Sequence, residues 1–319
     1  MTHPVRIGVL GCADIARRRM LPAFAAHPDT ELVAVASRDR TRAASLAAEY
    51  RCRAFHGYAA LLADEAVDAV YVPLPAALHE EWAEAALRAG KHVLAEKPLT
   101  LEPARTAALA TLARERGLAL MENVMFVHHS QHAAVGELVA SGAIGEPRAF
   151  HAAFAVPRRP AGDIRLRPEL GGGALWDTGV YPVRAAVRLL GPELRVVGAT
   201  VRRGPGDAVD TAGAALALTP AGITVQLTFG LDHAYRNSYE IWGTEGTIVV
   251  DRAFTPPADH RPVLRLTGPA GTETVPLAPD DQVAGTVGAF VAAVRVGAPL
   301  DPDVLRQAQL IEDVRHLAG

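Results

Sequence analysis

Cysteine is scarce: Cys12 and Cys52 are the only two in 319 residues, far apart and in no paired motif. That argues against a disulfide scaffold and a thiolate zinc site, and it fits a reducing cytoplasm. Net charge is scarce too. Lys and Arg number 32 against 35 Asp and Glu, a balance of −3 that is too near zero for electrostatic capture of nucleic acid. No apolar run approaches the ~18–20 residues of a membrane span. The opening MTHPVRIGVLG enters a strand at once, with no basic leader, apolar signal core or cleavage site. Internal repeats and low-complexity tracts are missing as well. What remains is a chain 50% hydrophobic, rich in alanine and glycine, and long enough for two domains with sizeable cores.

The first ~120 residues alternate two periodicities. Strand-like apolar runs cover 5–10, 31–37, 68–74, 91–96 and 118–123, with a shorter run at 52–56. Helically spaced segments separate them at 14–27, 40–50, 77–90 and 103–117, and Gly90 and Gly117 stand where helix C-caps belong. Such alternation predicts a doubly wound parallel sheet covered by helices, an α/β Rossmann domain over residues 1–123. After that the pattern changes. A helix-like stretch (130–141), a strand (147–155), a Pro/Arg/Gly-rich loop (157–173) and a helix (174–190) lead into consecutive strands with short turns from 194 to 276. Two helices, 281–296 and 302–317, close the chain. Residues 124–319 are therefore expected to form an α+β domain on an open, mostly antiparallel sheet. A flat exposed sheet face predicts self-association, as a homodimer or homotetramer.

The first strand runs into Gly11-Cys12-Ala13-Asp14-Ile15-Ala16 and a helix. The dinucleotide fingerprint places G-x-G-x-x-G/A in this setting. Gly11 makes the tight turn and Ala16 is the small residue where helix meets strand. Ala13 replaces the second glycine, so the pyrophosphate approaches the helix N-terminus past one extra methyl. The plain alternative is a βα turn with small residues for packing. The second strand ends in Ser37-Arg38-Asp39. An acid at this tip would hold the ribose hydroxyls of NAD. A hydroxyl and a guanidinium suit a 2′-phosphate instead, provided Asp39 turns away or pairs with Arg42. NADP(H) is the expected cofactor.

In KHVLAEKPLT (91–100) a buried strand ends in Glu96-Lys97-Pro98. Lysine here is either a solvated strand end or a cation delivered to a ligand, since ligands bind at the carboxyl ends of doubly wound sheets. Pro73, Leu74 and His79, in VPLPAALH at the fourth strand's tip, lie on the same side. His79 opens a helix, where capping is an equal alternative. Asn123, at the sixth strand's tip, is placed to touch cofactor or sugar.

GCADIA, VPLPAALH and AEKPLT together resemble the glucose–fructose oxidoreductase / inositol dehydrogenase / MocA family, and the resemblance covers nearly the whole chain. That family carries D-x-G-x-H on a helix of its second domain. Here it reads Asp177-Thr178-Gly179-Val180-Tyr181, with tyrosine in place of histidine. Stretches such as MENVMFVHHSQH, GGGALWDTGVYP and WGTEGTIVVDRAFTPP are similar to the NDP-hexose 3-ketoreductases of that family. The resemblance implies NADPH-dependent reduction of a keto group, C-3 by analogy, on a dTDP-linked deoxysugar in antibiotic biosynthesis. The chemistry agrees. A neutral histidine suits proton removal from an alcohol, whereas a phenol, protonated at neutral pH, suits donation to an alkoxide. Tyr181 is then the proton donor, Lys97 steadies the reacting oxygen, and Asp177 orients sugar or tyrosine. Two other readings stay open: a dehydrogenase of a free sugar, polyol or dihydrodiol, and a non-catalytic dinucleotide sensor.

The loop before Gly171-Gly172-Gly173 holds Arg158, Arg159, Arg165 and Arg167. Guanidiniums there would neutralise a diphosphate, with Arg159 and Arg165 favoured. A solvated basic loop is the bland alternative. Phe154 and Tyr235 are candidate platforms for the base, or core aromatics. His128, His129 and His132 lack an acidic third ligand at matching spacing, and no metal is expected.

Overall fold

The computed structural model describes residues 3–319. By contacts the chain divides into two compact units, one running to Val124 and including Val283–Val304, the other Met125–Gln282 with Leu305–Gly319.

The first unit contains β1 (Val5–Leu10), α1 (Leu21–Ala26), β2 (Thr30–Ser37), α2 (Arg40–Tyr50), β3 (Arg53–His56), α3 (Tyr58–Leu62), β4 (Ala69–Val72), α4 (His79–Arg88), β5 (His92–Glu96), α5 (Pro103–Glu115) and β6 (Leu120–Asn123). Its six strands are parallel in the order β3-β2-β1-β4-β5-β6, the doubly wound arrangement expected. β4 is buried at every position, as a central strand covered on both faces must be. Strand order reverses between β1 and β4, and the crevice at their carboxyl ends is where such sheets bind ligands.

The second unit contains α6 (Gln131–Ala140), β7 (Pro147–Ala155), α7 (Val180–Leu190), β8 (Arg195–Arg202), β9 (Ala212–Leu218), β10 (Thr224–Gly230), β11 (Arg236–Gly243), β12 (Thr247–Asp251), β13 (Val263–Gly268) and β14 (Gly271–Pro276). Its eight strands follow the order β14-β13-β12-β11-β7-β10-β9-β8. Every neighbouring pair is antiparallel except β7 with β10. Strands such as β10 and β13 alternate buried and exposed side chains, so one face of the sheet is covered and the other is open. The last helices are α8 (Gln282–Val296) and α9 (Pro302–Leu317). On the covered face, Val183 and Ala186 of α7 and Leu310 and Val314 of α9 meet Val225 and Leu227 of β10.

One boundary differs from the sequence expectation of a continuous second domain over 124–319. Most of α8 belongs to the first unit, where Arg295 pairs with Asp29 at 2.7 Å and Gly297, at φ +60°, lies against the Gly117 carbonyl. The apolar stripe of a helix shows that it covers a core, not which one.

Candidate active site

Gly11 closes β1 at φ +120°, and a Cβ there would lie 2.9 Å from Leu74 Cδ2. Both the backbone and the approach of the Leu74 loop therefore require glycine. Helix begins at Asp14 and opens into a π turn (Ala16–Met20) ahead of α1. Pro22 supplies the cause, since it has no N–H for the carbonyl four residues back. Asp14 is exposed and ion-paired with Arg18; Cys12, Ala13 and Ile15 are half-buried. Burial pushes the Cys12 thiol up, while a hydrogen bond with Ser37 acts the other way.

At the tip of β2 the Ser37 hydroxyl accepts the Asp39 N–H at 3.1 Å. The Asp39 carboxylate caps α2, accepting from the N–H groups of Thr41 (2.9 Å) and Arg42 (3.1 Å), a contact worth about 1 kcal/mol. It has turned away rather than paired with Arg42, whose Nη2 donates to the Cys12 carbonyl at 2.9 Å. The acid that would hold a ribose diol is engaged by the helix, and an exposed Arg38 remains beside Ser37. This tip fits NADP(H). Replacing Arg38 by Ala should weaken NADPH binding about tenfold, the size of one charge-assisted hydrogen bond, and leave NADH binding unchanged. Fluorescence titration with each dinucleotide measures both.

The tip of β5 is held from several sides. Glu96 Oε1 accepts from the Tyr71 hydroxyl at 2.6 Å and from Asn123 Nδ2 at 2.7 Å. Burial, reinforced by the Glu96 charge, holds the Tyr71 phenol far above its usual pKa, so it stays a neutral donor. Buried Glu122 accepts the Leu99 N–H at 2.8 Å, and the Lys97–Pro98 peptide is cis. Lys97 is half-buried between these two anchors. Asn123 Oδ1 is buried without a hydrogen-bond partner among the described residues. Pro73 and Leu74, the two residues that follow β4, are largely buried. His79 is buried as well, and both ring nitrogens face backbone carbonyls, so its polar atoms serve the chain rather than a cofactor or a helix cap.

In the second unit a π turn (Leu175–Gly179) again precedes a proline, Pro182, and leads into α7. Asp177 and Tyr181 therefore do not stack one turn apart as an ordinary i, i+4 pair would. Asp210 Oδ2 caps this helix, accepting the Leu175 N–H at 2.8 Å. A Cβ on Gly172 would lie 2.6 Å from the Arg165 carbonyl, so this glycine is needed for close approach. The Tyr181 ring sits among Phe154 (4.8 Å, edge-on), Phe254 (5.8 Å) and Phe126 (6.1 Å). Phe154, a possible base platform by sequence, is buried with its ring on Tyr181 and so positions the phenol. Tyr235 is half exposed, and its hydroxyl accepts from Asn237 Nδ2 at 2.9 Å.

Arg165, the favoured diphosphate ligand, is committed elsewhere. Its Nε donates to Asp177 Oδ2 at 3.0 Å and its Nη1 to Asp163 Oδ1 at 3.1 Å. Two carboxylates already answer its charge, and it fixes Asp177. Arg158 pairs with Asp207 and Asp232, and Arg167 with Glu169. Arg159 is exposed, with no carboxylate partner among the described residues. His132 is buried and faces the Tyr239 hydroxyl at 2.9 Å; burial, helped by His129, brings its pKa down to about 3, so it is neutral. Among the described residues no three His, Cys, Asp or Glu side chains are grouped as a metal site.

Sequence reasoning missed Tyr71, Glu122 and the working role of Arg165. The Asp39 cap had a legible signal, an acid directly before a helix. The anchors of Lys97 are long-range contacts with none.

Residues 5–124 match the model of the GFO/IDH/MocA oxidoreductase family with an NAD-binding Rossmann fold, and residues 132–249 match that of the GFO/IDH/MocA C-terminal domain. The chain is 55% identical to the dTDP-3,4-didehydro-2,6-dideoxy-alpha-D-glucose 3-reductase of Streptomyces violaceoruber, over 98% of this chain and 95% of that one. It is 37% identical to an NADP-dependent D-xylose 1-dehydrogenase of Haloferax volcanii, over 91% and 89%. Among solved structures, a 3-ketoreductase from Actinomadura kijaniata in complex with NADP and TDP-benzene superposes with a TM-score of 0.96 at 49% identity, covering 99% of this chain and 98% of that one.

Proposed function

This chain belongs to the GFO/IDH/MocA oxidoreductase family, and from that premise we propose that it reduces the C-3 keto group of a dTDP-linked 2,6-dideoxysugar with NADPH. The reaction serves deoxysugar assembly for antibiotics, in a cytoplasm that keeps its NADPH reduced. The observation that carries the reading is the extent of the likeness: 48–55% identity over 98% of the chain to four reductases of that activity.

Ser37 and Arg38 hold the 2′-phosphate, the Gly11–Ile15 turn takes the pyrophosphate, and Pro73, Leu74, Glu96 and Lys97 line the nicotinamide side. Bound NADPH supplies the hydride. As the carbonyl carbon gains its C–H bond, the C=O electron pair moves to oxygen. That oxygen takes a proton from the Tyr181 hydroxyl, and the phenolate is reprotonated from solvent. The Lys97 ammonium steadies the negative charge on the same oxygen. Asp177, fixed by Arg165, orients the sugar, with Asn123 as a further contact. Arg159 meets the diphosphate and Tyr235 offers a face to the thymine. No metal takes part.

Supplying NADPH with dTDP-linked and free 3-keto-sugars side by side tests the reading. Turnover of the nucleotide-linked ketone alone supports it. Equal turnover of a free sugar would move the chain to the free-sugar dehydrogenases, and tight NADPH binding without turnover of any ketone would make it a sensor.

The enzyme works as a homodimer or homotetramer paired through its eight-stranded sheet. The open face carries Leu216, Trp242 and Val263, each 41–53% exposed and all pointing the same way by strand register. Trp242→Arg should lower the mass measured by light scattering, without loss of secondary structure by circular dichroism.

A further inference from the structure

His79 is the first residue of α4 and is 1% exposed. Its Nδ1 lies 2.7 Å from the Pro98 carbonyl oxygen and its Nε2 2.7 Å from the Leu74 carbonyl oxygen. A carbonyl only accepts. A neutral imidazole has one N–H and one bare lone pair, so either tautomer would set a lone pair against a lone pair at one of these contacts. The imidazolium donates from both nitrogens and satisfies both. His132 provides the contrast: it is equally buried, but its Nδ1 faces a tyrosine hydroxyl, which can donate as well as accept, and neutrality costs it nothing.

We propose that His79 is an imidazolium in the folded protein and a two-ended clamp, tying the Leu74 carbonyl beyond β4 to the Pro98 carbonyl beside Lys97. It is a positioning residue for Lys97, and in that respect the inference rests on the proposed role of Lys97. Both ends matter. Pro98 is the next residue after the lysine, and Leu74 packs against the Gly11 turn, so one side chain sets the lysine's backbone relative to the dinucleotide loop. The charged groups around His79 are mixed. Glu96 favours the cation and Lys97 opposes it, both at the β5 tip. Glu80 and Glu81 lie in the first turn of its own helix, and Arg105 of α5 pairs with Glu80 at 3.2 Å. Burial is the largest influence and holds the ring's pKa below the ordinary histidine value, against the cation; the two carbonyl contacts act for it, and an acceptor 2.7 Å from each nitrogen is the observation that carries the inference.

Neutron diffraction from deuterated, NADP-bound protein at pH 7 reads the inference directly. Deuterium on both Nδ1 and Nε2 of His79 is expected; a single deuteron overturns it, whatever Lys97 does. The positioning role has its own readout. His79→Gln should lower kcat about tenfold with little change in KM for the keto-sugar. The same substitution in a Lys97→Met background should cost almost nothing more, because both act through one group. Fully additive losses would show that His79 does not work through Lys97. If Lys97→Met itself keeps full turnover, the reading of Lys97 fails while the deuterons still decide the clamp. Should His79→Gln fail to fold, the diffraction result stands without it.

Discussion

Lys97→Met is expected to lower turnover of the keto-sugar by about 10²–10³-fold, the range for removing one preorganised donor from a developing oxyanion. Methionine keeps the length and apolar stem of lysine and deletes the charge. The β5 tip should hold its shape. Its backbone is held by the Glu96 carboxylate on Tyr71 and Asn123 and by the Glu122 carboxylate on the Leu99 N–H. NADPH affinity is expected to change little, since the grip proposed for Ser37 and Arg38 is on the far end of the dinucleotide. Single-turnover oxidation of prebound NADPH separates the two effects. A slow chemical step with normal cofactor binding assigns Lys97 to the reacting oxygen. A normal step would return it to a solvated strand end.

What was legible in the chain, and what was not, divides by the range of the interaction responsible. The runs at 5–10, 31–37, 91–96 and 118–123 became β1, β2, β5 and β6 within two residues, because alternating apolar runs and helical spacing are local patterns. α3 went unread, since five residues are too few to display a helical period. Both π turns were hidden in plain sequence, although Pro22 and Pro182 mark them. In the site, the residue types were readable and their allegiances were not. Ser37-Arg38 suggested a 2′-phosphate grip, but only the capping geometry showed where the Asp39 carboxylate goes. Arg165 looked like a phosphate ligand because a basic loop cannot reveal that Asp163 and Asp177 will meet it. Phe154 alternates correctly for an inward position on β7, yet the ring it would touch lies on a helix 27 positions later, Tyr181.

That same aromatic setting makes Tyr181→Phe the cleaner of the two large tests. The ring's contacts with Phe154, Phe254 and Phe126 survive the substitution, each worth about 0.5–1.5 kcal/mol beyond buried area, so the fold and the position of α7 should be kept. Only the hydroxyl is lost. If it delivers the proton as the C–O π bond breaks, kcat should fall about 10²-fold while KM for the nucleotide sugar stays near its original value, the signature of an interaction used in the transition state. A solvent isotope effect on the chemical step should accompany the wild-type reaction and report a different proton path in the variant. Unchanged turnover would transfer the donor role to Lys97, or to a relay through hydroxyls of the sugar or the cofactor. The histidine usual at this position in the family would then differ from tyrosine in packing alone. The replacement is better explained by direction of reaction: an imidazole is suited to take a proton from an alcohol, and a phenol to give one to an alkoxide.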